Sequence, residues 1–239
     1  MSGHSKWATT KHKKAIVDAR RSASFTKLAN AVTIAARSGG DPAMNFQLRL
    51  AIEKAKSASM PKENIERAIK RGSGELGGAA IEEVIYEGYG PGGAAIIISC
   101  LTNNRLRTVA AIRAVFNRHG GSLAEAGSVS YLFEKKGQII ISQSANQQSA
   151  DQLEEKIIES GADDFEQEDE DIIVYTGLNQ LQSVTNFFQD ADIKINSSGI
   201  IYQPKSAVSI PQDKQESLNK LLEALDDLDD VSEVFSNAV

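Results

Sequence analysis

The sequence predicts an α+β protein of several domains: an N-terminal helical bundle followed by two α/β sandwich domains of ferredoxin-like type, the second inserted in the first. Three observations carry this. The chain has 239 residues, more than one domain of roughly 100–150 residues needs. The apolar period changes near residue 80, from the 3.6-residue repeat of helices to the short runs of strands. Charge changes at the same place. Residues 1–72 carry fifteen Lys/Arg against five Asp/Glu, a balance of +10, while the remainder balances to −16. The net charge of −6 conceals this split. The expected parts are a basic helical domain (1–75), a middle α/β domain (80–134 plus 205–239) and an inserted α/β domain (135–204).

Each element follows from its residues. Phe25, Leu28, Ala29, Val32, Ala35 and Ala36 form one helical stripe, with Ser24 as its expected cap and Gly39-Gly40 as its end. Leu48, Ala51, Ile52 and Ala55 repeat the stripe. Pro61 opens a short helix that buries Ile65, Ala68 and Ile69 and stops at Gly72. Upstream, Ala8 to Arg21 is helix-prone but weakly apolar, which predicts a loosely packed arm. Residues 72–80 read as a flexible linker. Strands are then expected at Glu83–Glu87 and Ala95–Leu101, joined by the Gly- and Pro-rich segment 88–93. A helix over Arg105–Arg118 and a strand over Val129–Phe133 follow.

From Gly137 a second pattern begins. Strands at 139–141, 163–168, 172–175 and 193–201 alternate with helices at 150–160 and 178–188. This β-α-β-β-α-β order is that of a split ferredoxin-like unit. The tail offers a strand (Ala207–Ile210), a helix (Gln212–Leu225) and a last strand (Val231–Phe235), which are expected to complete the sheet begun at 81–133.

Composition narrows the class. Hydrophobic residues make up 41% and charged ones 24%, too apolar for a disordered chain. The apolar runs, such as Ala94–Ile98, fall far short of the ~20 residues of a membrane helix. The first residues lack the apolar region of an export signal. Cys100 alone supports neither a disulfide framework nor a cysteine zinc site. A cytoplasmic protein without membrane contact is expected. Nothing resembles a coiled coil, so a monomer is expected too.

The opening residues carry the main chemical signal. Gly3-His4-Ser5-Lys6-Trp7 is followed by Lys11-His12-Lys13-Lys14 and Arg20-Arg21. Lys6, Lys13, Arg20 and Lys27 recur every seven residues, which on a helix drifts only ~20° per step and makes one cationic stripe. Such a stripe suits a phosphate backbone, where each contact releases counterions. Trp7 offers a face for base stacking or a wedge. The alternative is a solvated basic arm with Trp7 as a core anchor. Arg105 and Arg107 open the helix of the middle domain, where the helix dipole favours acids instead. They either extend the phosphate path or pair with Glu82, Glu83 or Glu87. The candidate nucleic-acid-binding residues are therefore His4, Lys6, Trp7, Lys11, Lys13, Lys14, Arg20, Arg21, Lys27, Arg105 and Arg107.

At these residues the chain resembles the YebC family. Residues 3–7 with 11–14 are similar to its N-terminal signature, and Tyr86-Glu87-Gly88-Tyr89-Gly90-Pro91-Gly92-Gly93 to its hairpin motif. Thr102–Thr108 resembles its Asp-Asn-Arg-Asn-Arg-Thr segment, with Asn103 in place of Asp and Leu106 in place of Asn. Gly127–Phe133 resembles its Gly-Ser-Val-Ala-Tyr-Leu-Phe segment. The resemblance implies a three-domain cytosolic protein, generally described as a DNA-binding transcriptional regulator. The family includes the mitochondrial translational activator of cytochrome c oxidase, so a ribosome-associated role is implied as well.

Other signals are set aside. Gly72–Gly77 fits G-x-G-x-x-G, but a helix precedes it and a linker follows, so a hinge is expected instead of a dinucleotide site. His4, His12 and His119 have no second ligand at metal spacing, so no metal and no cofactor is expected. Cys100 reads as a buried small hydrophobe. The acidic runs 163–171 and 226–230 lack the Gly and spacing of a calcium loop and read as solvated edges that repel nucleic acid. The acidic domains are also the expected surface for a protein partner. Without triad, metal constellation or phosphate loop, the reading is a non-enzymatic DNA-binding regulator. The alternative is a translation factor that grips ribosomal or transfer RNA with the same residues.

Overall fold

The computed structural model describes residues 21–77, 79–146, 148–168 and 170–239. The predicted N-terminal arm lies outside them, apart from Arg21. The described chain divides into two compact units. One is built from residues up to Glu134 together with Gln203–Val239, the other from Lys135–Tyr202. In chain order the elements are α1 (Arg21–Ala35), α2 (Phe46–Ser57), α3 (Lys62–Gly72), β1 (Glu82–Tyr89), β2 (Ala95–Thr102), α4 (Arg105–Arg118) and β3 (Ser122–Ala124). They continue with β4 (Phe133–Ser142), α5 (Ala150–Glu159), β5 (Asp164–Glu168), β6 (Asp171–Thr176), α6 (Leu181–Asp190), β7 (Ile195–Pro204), α7 (Gln212–Asp226) and β8 (Val231–Ser236). The class is mixed helix and strand, with two four-stranded sheets, ordered β3-β1-β2-β8 and β5-β6-β4-β7.

The three leading helices share one core of Leu28, Val32, Ala36, Leu48, Ile52, Ala55, Ile65 and Ala68, the residues of the expected stripes. Ser24 does not cap α1, because the helix is already formed at Arg21. The apolar stripe marks where α1 meets its neighbours, not where it starts. Asn45 joins α1 to α2. Its Oδ1 accepts the Leu48 N–H at 3.0 Å, and its Nδ2 donates to the carbonyls of Ala35 and Gly39 at 2.7 and 2.8 Å. Gly72 ends α3, and packing also demands it. A Cβ there would stand 2.2 Å from the Thr33 carbonyl oxygen and 2.7 Å from the Ala36 Cβ.

In the first sheet, β1 and β2 form an antiparallel hairpin from Glu82↔Thr102 to Tyr89↔Ala95. Gly92 in its turn has φ +77°, a conformation that glycine adopts at little cost. β8 returns to the free edge of β2, and β3 takes the other edge against β1. Ile96, Ile98 and Cys100 of β2 pack with Ile112 and Phe116 of α4, Leu218, Leu221, Leu222 and Leu225 of α7, and Val231 and Val234 of β8. The smaller unit follows the β-α-β-β-α-β order of elements. Its helix α5 opens with a reciprocal cap between Ser149 and Gln152.

Two expected strands are corrected. Ala207–Ile210 makes only an isolated bridge, Val208 to Ala238. Pro211 has no N–H to extend a ladder and instead opens α7. Val129–Phe133 is not a strand either: residues 130–132 form a 3₁₀ turn and β4 starts at Phe133. The cause is Glu87. Its carboxylate, buried on β1, accepts the N–H groups of Gly127, Val129 and Ser130 at 2.8, 2.6 and 2.9 Å. Donors spent on a carboxylate are not available to a ladder. The short strand β3 has no counterpart in the sequence reading, since three residues show no alternation.

Burial pushes the Glu87 carboxyl's pKa up, but the three N–H donors outweigh it and the net shift is downward. The stability it contributes is therefore present above the ordinary carboxylate pKa of about 4.3 and is lost as pH falls through the lower folded-state value. Glu87→Gln is expected to destabilise the protein by about 1.5–3 kcal/mol at neutral pH, the range for hydrogen bonds to a charged group. The gap between variant and parent in thermal melts should be constant from pH 6 to 8 and shrink below about pH 4. A gap that widens in acid would refute the assignment.

Candidate nucleic-acid interface

The site is built where the helical head meets the first sheet. Asn104 starts α4 by accepting the Arg107 N–H on its Oδ1 at 3.1 Å, a side-chain cap. This fixes Arg107 on the first turn. Its Nη2 donates to both carboxylate oxygens of Asp230 at 2.9 Å, and its Nε to Oδ2 at 3.3 Å. Nη2 also donates to Oδ1 of Asn103 at 3.3 Å. Beneath the pair, Thr108 Oγ1 donates to Asp230 Oδ2 at 2.8 Å, and Thr102 Oγ1 lies 2.8 Å from Thr108 Oγ1 and accepts the Asn104 N–H at 2.9 Å. Thr102 and Thr108 are buried, so each proton in this chain has an acceptor. The Arg107 side chain stays 57% exposed while that of Asp230 is 18% exposed.

Asp230 is therefore not part of a solvated edge, as the acidic run around it suggested. It faces inward and holds Arg107. Arg107 was expected to pair, if at all, with Glu82, Glu83 or Glu87; its carboxylate comes instead from the loop before β8. Arg105 does meet one of those residues: its Nε lies 2.5 Å from Glu82 Oε2, with both side chains at least half exposed. Such a surface pair contributes about 0–1 kcal/mol. Lys27 on α1 is turned to the end of α7, where its Nζ donates to the Asp226 carbonyl oxygen and stands 4.0 Å from its carboxylate. Lys54 on α2 meets Glu233 at 3.1 Å, and Arg37 donates to the Ile81 carbonyl.

The remaining sequence-derived candidates stand apart. His4, Lys6, Trp7, Lys11, Lys13, Lys14 and Arg20 lie outside the described residues, and Arg21 is the first residue of α1. Sequence reasoning missed other cations. Lys56, Arg67, Lys70 and Arg71 of α2 and α3 are exposed and carry no ion pair among the described residues. Arg113 and Arg118 of α4 are likewise exposed without one. The signal was present: α4 holds four arginines and no acid.

A cavity of about 360 Å³ opens beside the Arg107–Asp230 pair. Thr26 and Asn30, one turn apart on α1, line it with Arg71 from the last turn of α3 and with Asn103, Arg107 and Asp230. Nothing in the sequence joins residues near 26, 71, 103 and 230, and only the fold brings them together. Cys100 is buried and free. Burial, and after it the Asp230 carboxylate, push its thiol up to about 12, so it stays protonated at neutral pH. Among the described residues no group of three or more His, Cys, Asp and Glu side chains is placed to hold a metal ion. No helix among them is long and apolar enough to cross a membrane.

These geometries separate a built pair from a surface pair. Asp230→Ala removes the carboxylate that accepts from Arg107 and Thr108, leaving Asn103 and the Asn104 carbonyl as their acceptors, and is expected to lower stability by about 1–3 kcal/mol. Glu82→Ala should change it by less than about 1 kcal/mol. Urea denaturation midpoints of the two variants measure the contrast, and equal small losses would show that Arg107 is not fixed by Asp230.

Known proteins share this architecture. A "probable transcriptional regulatory protein" of Pelotomaculum thermopropionicum is 47% identical over 99% of this chain and 98% of its own length. One of the same description from Thermoanaerobacter pseudethanolicus is 48% identical over 99% and 96%. The crystal structure of a conserved hypothetical protein from Aquifex aeolicus superposes with a TM-score of 0.86 at 45% identity, covering 93% of this chain and 92% of that one. The family model of the TACO1/YebC protein N-terminal domain matches residues 5–75, and that of the TACO1/YebC second and third domain matches residues 81–238. With both models matched in order across nearly its whole length, the chain belongs to the TACO1/YebC family.

Proposed function

We propose that this protein is a non-enzymatic, nucleic-acid-binding regulator that works in the cytoplasm as a monomer. A basic helical domain (1–75) grips phosphates, while the middle domain (80–134 plus 205–239) and the inserted domain (135–204) present acidic surfaces to protein partners. The observation that carries the reading is how the head distributes its positive charge. Lys27 and Lys54, which face the acidic α7 and β8, are paired with Asp226 and Glu233. Lys56, Arg67, Lys70 and Arg71 carry no ion pair among the described residues. The head's excess charge is thus not consumed by docking, and a polyanion is the partner it suits. The relatives' description as transcriptional regulators supports duplex DNA as the strand.

In this proposal the grip comes from His4, Lys6, Trp7, Lys11, Lys13, Lys14, Arg20 and Arg21, continued by the unpaired cations of α2 and α3. Arg105 assists, because a phosphate readily displaces the exposed Glu82. Lys27, turned to the end of α7, orients the head instead of contacting the strand, while Arg107, held by Asp230, keeps an exposed face toward it. A second reading, a translation factor on ribosomal or transfer RNA, uses the same cations. The cavity beside Arg107 favours it, since 360 Å³ admits no duplex.

Affinity for duplex DNA should fall with salt at a slope of about −0.9 per phosphate neutralised. Replacing Lys13, Lys14, Arg20 and Arg21 by Glu should weaken it by at least about a hundredfold at moderate salt, since each lost phosphate contact removes a counterion-release term. A flat salt response in a fluorescence anisotropy titration would overturn the proposal. Co-sedimentation with ribosomes that the same four substitutions abolish, with duplex affinity weak throughout, would select the translation reading.

A further inference from the structure

We infer that the cavity between α1, α3 and the start of α4 binds one unpaired nucleotide, its phosphate on Arg71 and its base edge on Asn30 and Asn103. This rests on the reading of the chain as a nucleic-acid binder. It adds what the strand does at this point, which is to give up one nucleotide from its stack.

Hydrogen-bonding capacity left unused is the main argument. The Thr26 and Asn30 side chains make no hydrogen bond among the described residues, and Arg71 makes neither a hydrogen bond nor an ion pair there. Asn30 is half-buried, and its amide, which has no partner among the described residues, stays open to the cavity. Arg107, by contrast, is held by Asp230 and Asn103. The cavity therefore joins one immobilised guanidinium to a second one with all its donors available.

The donor set selects the ligand. Asn30 offers an amide donor and an amide acceptor, the pattern that reads the mixed edge of a base, and Asn103, whose Oδ1 accepts from Arg107, adds its amide donor. A bare anion would use only the donors and would meet the Asp230 carboxylate. That carboxylate is covered on both oxygens by Arg107, so the pair is close to neutral and Arg71 supplies the net positive charge. A guanidinium fits a phosphate through paired N–H donors. Arg107, its plane fixed by Asp230, is the kind of surface on which an unstacked base lies. The cavity's 360 Å³ falls in the range of small-ligand sites. A base inside a duplex cannot enter it; an unpaired one can.

Isothermal titration of the full-length protein tests this with three probes: the nucleoside 5′-monophosphates, a single-stranded pentanucleotide and a blunt duplex. Asn30→Ala and Arg71→Gln are each expected to weaken pentanucleotide binding by about tenfold or more, as loss of a charge-assisted or buried hydrogen bond does. Lys156→Gln, a surface change in the smaller unit, should leave it within about twofold. Arg71 is exposed, so its variant keeps the test valid even if Asn30→Ala folds poorly. Monophosphates that bind as tightly as the pentanucleotide, with the same sensitivity, would assign the cavity to a free nucleotide; binding of the pentanucleotide alone assigns it to a strand. Pentanucleotide binding that ignores both variants, or no small-probe binding while duplex binding through the arm persists, overturns the inference and leaves the proposed function standing. Failure of every probe, duplex included, overturns both.

Discussion

The return of β8 to β2 is the constraint on which the rest of the larger unit depends. β8 comes from the far end of the chain and closes a sheet whose first strands lie some 130 residues earlier. Its register shifts between Ser99 and Cys100, and the Leu101 N–H donates to the Asp230 carbonyl at 2.8 Å. That bulge sets the corner where α7 ends and β8 begins. Three carboxylates from one short stretch, Asp226, Asp230 and Glu233, are thereby aimed at Lys27, Arg107 and Lys54. The driving force is apolar. Each of Leu221, Leu222, Leu225, Val231 and Val234, all essentially excluded from water, gains about 1.5–3 kcal/mol from burial, whereas an exposed ion pair gains at most about 1. Burial decides that β8 returns; the ion pairs of Lys27 and Lys54 then join the helical head to the end of α7 and to β8.

That division of labour explains what could be read from the sequence. Elements whose residues carry their own pattern were legible: α4 was expected over Arg105–Arg118 and is found there, and the β1–β2 hairpin follows from its Gly-Pro-Gly-Gly turn. Ser24 looks like a cap until α1 extends past it, and Ala207–Ile210 like a strand until Pro211 opens α7. The other misreadings share a cause, which is a distant partner. Val129–Phe133 looks like a strand until Glu87, some 40 residues away, takes its N–H groups. Asp230 looks solvated until the sheet closes and places it against Arg107. The candidate site divides the same way. The basic character of the head was visible as a running balance of charge. The meeting of Thr26, Asn30, Arg71 and Asn103 was not, because no period or motif links three separate segments.

Acidic side chains in such a molecule do two things at once. Asp226 and Glu233 occupy the head cations Lys27 and Lys54 much as phosphates would. Lys56, Arg67, Lys70 and Arg71 of α2 and α3 carry no ion pair among the described residues. In the proposed function, a strand drawn to these cations is repelled by the acidic residues beyond position 72, whose balance is −16. Attraction and repulsion of this kind both weaken as salt shortens the Debye length.

Specific recognition needs something salt does not screen as readily. Phosphate contacts position a strand, while contacts to base edges distinguish one strand from another. Among the described residues, the cavity beside Arg107 combines amides with both donor and acceptor and a guanidinium whose plane is fixed from below. That rigidity comes from Thr102, Thr108 and Asp230 and so depends on the same β8 corner. A rigid polar pocket discriminates because a wrongly matched group leaves buried donors unpaired. The closure of the first sheet therefore does more than complete a core: it converts an arginine on a solvent-facing helix turn into a fixed wall, at the place where the basic head ends and the acidic body begins.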